Sequence, residues 1–365
     1  MAKGRPKIRG HIQASDKGLG GLLMRLPLIK LDFLKVITDD TGVFQHSKFG
    51  TPNRHEGYTT DDNARALIAV TKYSQIKGNS QSYGLIDTYL SFLFHMQRAD
   101  GKMHNFLSYD RNFLDDEGSE DCAGRTLWAC GYVMNSELSA EKRLLAKEIF
   151  DRCYRWACFF KSPRAIAFAI LGLSHYHSAY TEDRNLTEDI KALSNRLVKY
   201  YKSTRSSDWR WFEPYLTYEN GRLPQALFEA YRETKRTEYI GVAEESLKFL
   251  FEVQILDGKF VPIGNKGWYL KGKARAMYDQ QSLEAASMTE ASMSAFLSTG
   301  NIYYRKMARA VFSWFLGKNT KNVFVYDSAT GGCYDGITEE GLNLNKGAEA
   351  NVCYVSARLE LLITK

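Results

Sequence analysis

Two kinds of helical pattern alternate along this chain, six of each, and nothing else in the sequence limits the possible folds as much. The first kind is one-sided. Residues 141–160 set Leu145, Ile149, Cys153, Trp156 and Phe160 at steps of four and three, with Glu148, Asp151, Arg152 and Arg155 on the other side. Residues 238–254 repeat the pattern with Tyr239, Ala243, Leu247 and Leu250 against Glu244, Glu245, Lys248 and Glu252. Similar stripes fill 26–38, 83–98, 185–202 and 301–317. The second kind is small and apolar nearly all round, as in Ala64–Val70, Ala165–Leu173 and Glu284–Leu297, and a helix with no polar face is enclosed on every side. These enclosed helices start near 61, 121, 163, 222, 280 and 347 and interleave with the one-sided six. Six enclosed helices ringed by six one-sided ones predict an all-α (α/α)6 barrel. It is expected to fill residues 21–365 as one domain, with 1–20 a flexible basic tail.

Composition narrows the function classes. The chain is 44% hydrophobic and 25% charged, as soluble globular proteins are. No stretch approaches the roughly 20 apolar residues of a membrane span. The opening MAKGRPKIRG is basic but lacks the apolar core of a secretory signal. The six cysteines form no C-x-x-C pair, and reduced thiols in a cytoplasmic protein are the expectation. The net charge of +7 owes much to Lys3, Arg5, Lys7 and Arg9, and no nucleic-acid-binding signature is present. Neither nucleic acid nor membrane is an expected partner. No H-E-x-x-H, Walker A or G-x-S-x-G motif occurs, and no metal or cofactor is expected. His175 and His177, near the end of an enclosed helix, read as structural. His46, His55 and His104, in loops, are candidates to bind hydroxyls or shuttle protons.

The loops point to one working face. Connections from a one-sided helix into the next enclosed one are long, at about 39–60, 99–120, 204–221, 256–279 and 318–346, and all fall on one rim. A domain rarely keeps many long loops without a use for them. Two of these loops open alike, Gln97–Met103 matching Gln254–Phe260, which reads as a helix stop with an Asp-Gly turn.

Polar groups gather where enclosed helices begin on that rim. The first cluster runs Tyr58-Thr59-Thr60-Asp61-Asp62-Asn63-Ala64-Arg65. An N-cap at Thr60 or Asp61 explains one residue. It does not explain two carboxylates and an arginine entering an enclosed helix, where Arg65 needs a carboxylate or a ligand as partner. Asp121 and Arg125 form a second cluster. Ser162-Pro163-Arg164 reads as a cap, an N1 proline and a charge. Asp208–Glu213 sets Glu213 among Trp209, Trp211 and Phe212, and Trp268 follows Gly264 and Gly267. Aromatics in glycine-rich polar loops suit a sugar, whose C–H faces pack on rings. Asp279 and Gln280 open a fifth helix, and Asp335, Asn345 and Glu349 approach the sixth. The catalytic candidates are therefore Asp61, Asp62, Asp121, Glu213, Asp279 and Glu349. Tyr58, Arg65, His104, Arg125, Trp209 and Trp211 are candidates to bind substrate, together with Trp268, Gln280, Asp335 and Asn345.

The stretches TDDTGVFQH, GYTTDDNARAL, DWRWFE, GRLPQAL, FVPIGNKGWY, YDQQSLEA and GGCYDGITEEGLNLNKGAEA carry a family resemblance. They resemble a bacterial domain of the six-hairpin glycosidase-like superfamily that is often fused C-terminal to a family 4 glycosyltransferase and occurs near mannoside-phosphorylase genes. The resemblance covers about residues 30–360. It implies the same barrel, an oligosaccharide or glycoside substrate and a glycosyltransferase as partner, but no catalytic assignment. This chain lacks the glycosyltransferase part, which suggests a free-standing or cut-out version. The expected activity is that of an inverting glycoside hydrolase or a related phosphorylase, with acid and base far enough apart to admit water. Glu213 is the expected acid, because Trp211, Phe212 and Pro214 can exclude water from it. Asp61 or Asp62 is the expected base, beside Arg65 and a helix N-terminus. The alternative is a non-catalytic glycan-binding domain that positions an acceptor for a glycosyltransferase. A third reading is an epimerase or lyase with a histidine or tyrosine base.

Overall fold

The computed structural model describes residues 26–78, 82–181 and 184–363. The expected tail at 1–20 lies outside the described residues. Twelve α-helices follow in chain order: α1 (Asp32–Val36), α2 (Thr60–Lys77), α3 (Tyr83–Met96), α4 (Glu120–Met134), α5 (Ala140–Tyr154) and α6 (Pro163–Ala179), then α7 (Arg184–Thr204), α8 (Arg222–Thr234), α9 (Thr237–Gln254), α10 (Ser282–Thr299), α11 (Ile302–Phe312) and α12 (Ala348–Glu360). Each even-numbered helix packs on the next even one, and α12 packs back on α2 to close a ring. Each odd-numbered helix lies outside, against its even neighbour. This is the (α/α)6 barrel.

Local sequence explains both rings. In α10 every residue from Ser282 to Phe296 is buried, as a run of Ala, Ser and Met without a polar face requires. In α5 only Ala146, Ile149, Phe150 and Cys153 are buried, one stripe of an amphipathic helix. Glycines let α4 and α6 approach closely. A Cβ on Gly131 would strike the Gly172 carbonyl.

Three outer helices are shorter than their hydrophobic stripes. The stripe at 26–38 yields only Asp32–Val36. The stripes of α5 and α11 end in single 3-10 turns, Ala157–Phe159 and Ser313–Phe315.

Because every outer helix ends on the same rim, the long loops 37–59, 97–119, 205–221, 255–281 and 313–347 all gather there. At the other rim the returns are short: Lys235-Arg236 and Gly300-Asn301 suffice for two of them. Two-residue strands stitch the long loops together. Tyr58–Thr59 pairs with Phe106–Leu107, and Tyr215–Leu216 with Tyr269–Leu270. Gly336–Ile337 lies between Gln280–Gln281 and Leu342–Asn343 in an antiparallel trio. The two similar loops do make similar turns. Gln97 bridges Met103, Ile255–Leu256 pairs with Lys259–Phe260, and Gly101 and Gly258 take the left-handed backbone that each turn needs. All six cysteines are free thiols, and among the described residues no helix is long and apolar enough to cross a membrane.

Candidate functional site

The loop-bearing rim opens into a cleft of two lobes. The first has a volume of about 460 Å³, and its walls include Gln45, His46, Asp62, Asn105, Phe106, Asp279 and Asp335. The second, of about 610 Å³, is walled by Ser119, Glu120, Asp121, Arg125, Ser162, Tyr218 and Trp268. Asp61, Arg65, Asn265, Gln281 and Glu349 line both lobes and so mark their junction. Volumes of this size are typical of small-molecule sites.

Each charged group at the junction is held by a partner from another helix. Asp61, in the first turn of α2, accepts a hydrogen bond from Arg125 Nη1 of α4 at 2.9 Å. Its backbone N–H donates to Asn105 Oδ1 at 3.2 Å, which ties the 97–119 loop to the start of α2. Glu349, in the first turn of α12, pairs with Arg65 Nη1 of α2 at 2.9 Å, and its side chain is 35% exposed. Asp62 is buried. Its N–H donates to the N-cap Thr59 Oγ1 at 3.1 Å, and that hydroxyl donates to Asp62 Oδ2 at 2.8 Å. Burial pushes the Asp62 carboxyl up to about 6. Arg65 opposes the rise and Glu349 adds to it.

In the second lobe Asp121 accepts from Ser162 Oγ at 2.8 Å and from Tyr218 OH at 2.7 Å, and lies 3.9 Å from Arg125 Nη1. In the first lobe Asp335 accepts from the Gly347 N–H at 2.5 Å, and burial raises its pKa. Burial disfavours the charge on Arg125, but Asp61 and Glu219 more than offset this and keep it a cation. The cleft thus offers carboxyls in contrasting settings, Asp62 and Asp335 shifted toward their neutral forms and Asp61 and Glu349 paired with arginine.

Of the six catalytic candidates, Asp61, Asp62, Asp121, Asp279 and Glu349 line the cleft. Glu213 does not. It is buried against Arg164 of α6 at 2.7 Å, so the water-excluding setting expected of an acid holds a salt bridge instead. Ser162 caps α6 and Pro163 occupies its first turn, as the sequence suggests.

Of the ten binding candidates, Arg65, Arg125, Trp268, Gln280 and Asp335 line the cleft. The other five binding candidates do not. Trp209 and Trp211 belong to the core, 2% and 0% exposed. Tyr58 is buried and donates to Asp39 at 2.6 Å. The His104 ring stacks on Phe113, and Asn345 Oδ1 accepts from the Phe49 N–H. Gln280 is a partial case, since its amide bonds Met277, Thr320 and Trp314 behind the cleft. The residues that sequence reasoning passed over at the junction are Asn265 and Gln281. The period of two in a strand would have separated Gln280 from Gln281, once a strand was recognised there. Among the described residues, no group of three or more His, Cys, Asp or Glu side chains is arranged to hold a metal ion.

No family model matches the chain, and no curated protein matches it. Solved structures match its fold. The cellobiose 2-epimerase of Bacillus thermoamylovorans B4167 is 12% identical with a TM-score of 0.72, the match covering 92% of this chain and 95% of that one. A D-mannose isomerase is 14% identical with a TM-score of 0.70, over 90% and 94% of the two chains. An α-1,6-mannanase of Salegentibacter sp. HEL1_6 was solved with α-1,6-mannotriose as an inactive variant with two consecutive aspartates replaced by asparagine. It is 12% identical with a TM-score of 0.61, over 91% and 96%.

Proposed function

We propose that this chain is a carbohydrate-active enzyme that hydrolyses a glycosidic linkage held across the junction of the two lobes. The observation that carries this reading is the junction itself. It joins two sugar-sized lobes, presents Asp61 and Glu349 each fixed by its own arginine, and has Asp62 beside them with its pKa pushed up to about 6. One sugar occupies the lobe walled by Phe106 and the other the lobe walled by Trp268 and Tyr218. The glycosidic oxygen then lies near the carboxylates common to both.

Hydrolysis with inversion needs a protonated carboxyl for the leaving oxygen and an ionised one for water. Asp62 suits the acid, because burial favours its neutral form. Glu349 suits the base, because it is the more open of the junction carboxylates and can meet water. Asp61 orients sugar hydroxyls. The matched mannanase supports this reading in that its inactive form lacks two consecutive aspartates, and α2 opens with such a pair.

A second reading has its own observation. His46 lines the first lobe and interacts with Asp335, and an imidazole is the group that proton transfer at a sugar carbon would use. Two of the matched folds are an epimerase and an isomerase.

The test is incubation with a panel of manno-, gluco- and cello-oligosaccharides in D2O. Glycoside cleavage that Asp62→Asn and Glu349→Gln abolish supports the hydrolase. The Asp62→Asn enzyme should retain more activity on aryl glycosides with good leaving groups, by about tenfold or more relative to the natural substrate. Deuterium entering the sugar without cleavage, lost in His46→Ala, supports the second reading. Sugar binding without any reaction would leave the acceptor-positioning role beside a glycosyltransferase.

A further inference from the structure

A line of alternating charges runs from the cleft through the barrel to its opposite end. Asp61 pairs with Arg125, Arg125 with Glu219, Glu219 with Arg222 and Arg222 with Glu290. Glu290 lies 3.9 Å from Lys72, which pairs with Glu360 at 2.8 Å. Below Asp61 every side chain in the line is at most 9% exposed. A buried charge is kept only where partners meet it closely, and removing one partner leaves the other stranded.

Glu219 is the node nearest the cleft. It is 0% exposed. Its Oε2 accepts from Arg125 and its Oε1 from Arg222 Nε at 3.0 Å. Its backbone sits at φ +46°, left-handed and costly for a residue with a Cβ, in the turn that opens α8. Charged and titratable groups face it from five of the six inner helices: Arg65 of α2, Arg125 of α4, Arg222 of α8, Glu284 of α10 and Cys353 of α12. Both arginines that hold the junction carboxylates therefore feel this one buried anion from behind. Arg125 touches it directly, and Arg65 interacts through the low-dielectric interior.

We infer that Glu219 is a positioning residue: a buried counter-charge, anchored by Arg222, that orients Arg125 and sets how strongly Arg125 and Arg65 draw on Asp61 and Glu349. It touches no substrate. The assignment of Asp61 and Glu349 to chemistry rests on the proposed function, but the electrostatic role can be measured without a substrate.

The experiment is a carboxyl ¹³C NMR titration of Asp61 and Glu349 in the full chain. Glu219→Gln frees both arginines to act on the cleft, so both titration midpoints fall, that of Asp61 by more than that of the more exposed Glu349. Arg222→Gln does the opposite. It leaves Glu219 to the cleft arginines alone, and the midpoints rise. Asp62, Asp335, Cys122 and Cys353 also face these carboxylates, Asp121 shares Arg125 with Asp61, and all are unchanged in both variants. Opposite signs are what a purely structural role would not produce. Glu290→Gln, one step further along the line, is the control. It lowers the melting temperature but moves the midpoints by less than half as much as Glu219→Gln.

Midpoints that stay put in Glu219→Gln, or that move the same way in Glu219→Gln and Arg222→Gln, overturn the inference. If Glu219→Gln fails to fold, Arg222→Gln decides alone. Glu219→Asp, which keeps the charge on a shorter arm, should leave the Glu349 midpoint within about 0.3 unit of wild type, and a larger shift also overturns it. If the wild type turns over nothing, the proposed function fails while these midpoints still report on Glu219.

Discussion

Trp209 and Trp268 come from similar aromatic, polar loop sequence yet end in opposite places. Trp209 packs edge-on against Phe249 and Tyr269 and donates its Nε1–H to the Glu213 carbonyl at 2.8 Å. Trp268 follows Gly267, whose φ is +124°, and is itself left-handed at +57°, a turn that sets it on the wall of the second lobe near Tyr218. Trp268→Ala should weaken oligosaccharide binding by about tenfold, the worth of one aromatic stacking contact, with little change in melting temperature. Trp209→Ala should instead cost about 3–5 kcal/mol of stability. Titration calorimetry and thermal unfolding together check the pair, and equal loss of binding in both would remove Trp268 from the site. Aromatic composition could not separate these two residues, because burial depends on partners far along the chain. Glu213 shows the same limit. Its ion partner Arg164 lies 49 residues away, and nothing local announces it. The clusters at Asp61, Asp121, Asp279 and Glu349 were legible because each sits in or just before the first turn of an enclosed helix, where one cap accounts for one polar residue but not for several together.

At the scale of elements, the start of α2 joins folding to chemistry. Thr59 is the N-cap, one or two residues before the caps expected from sequence. Its hydroxyl both caps α2 and bonds Asp62, and that bond draws the Asp62 pKa down against the effect of burial. Thr59→Ala should cost about 1 kcal/mol, the usual worth of a cap. It should also raise the Asp62 pKa above its present value of about 6. If Asp62 is the acid that must be protonated, the alkaline limb of the pH–rate profile moves to higher pH. A limb that stays in place, in a variant that has lost the expected stability, would take Asp62 out of the acid's role. The helices could be read because their periodicity spans many residues. The enclosed six begin within about two residues of the expected positions, an ordinary margin for helix ends. Short hairpins within a loop could be anticipated, as near Val323–Tyr326, where Tyr326–Asp327 pairs with Gly332–Cys333. The two-residue strands that join different loops could not be read, because they carry no periodicity long enough to register.

Across the whole molecule, the end opposite the cleft is closed by charge as well as by packing. Lys72 of α2 reaches Glu360 of α12 at 2.8 Å and Glu290 of α10 at 3.9 Å, and its ammonium lies 5.7 Å from the centre of the Tyr132 ring of α4. Four of the six inner helices thus meet at one buried cation. Its charge outlasts burial because Glu360 and Glu290 hold its pKa above the ordinary lysine value. Lys72→Met removes the cation, strands the buried Glu360 and leaves Glu290 to Arg222 alone, which should cost about 3–5 kcal/mol at neutral pH. The sign of the pH dependence follows from proton uptake. Burial already raises the Glu360 pKa, and without Lys72 it climbs further above the unfolded value. In that window the folded variant binds a proton that the unfolded chain does not, so its stability falls as pH rises. The gap between wild type and variant should therefore be narrow near pH 5 and wide near pH 8. Urea unfolding at the two pH values measures it. A gap of the same size at both would mean that Glu360 and Glu290 do not depend on Lys72 for their charge. The line of alternating charges would then end at Glu290, short of the far rim.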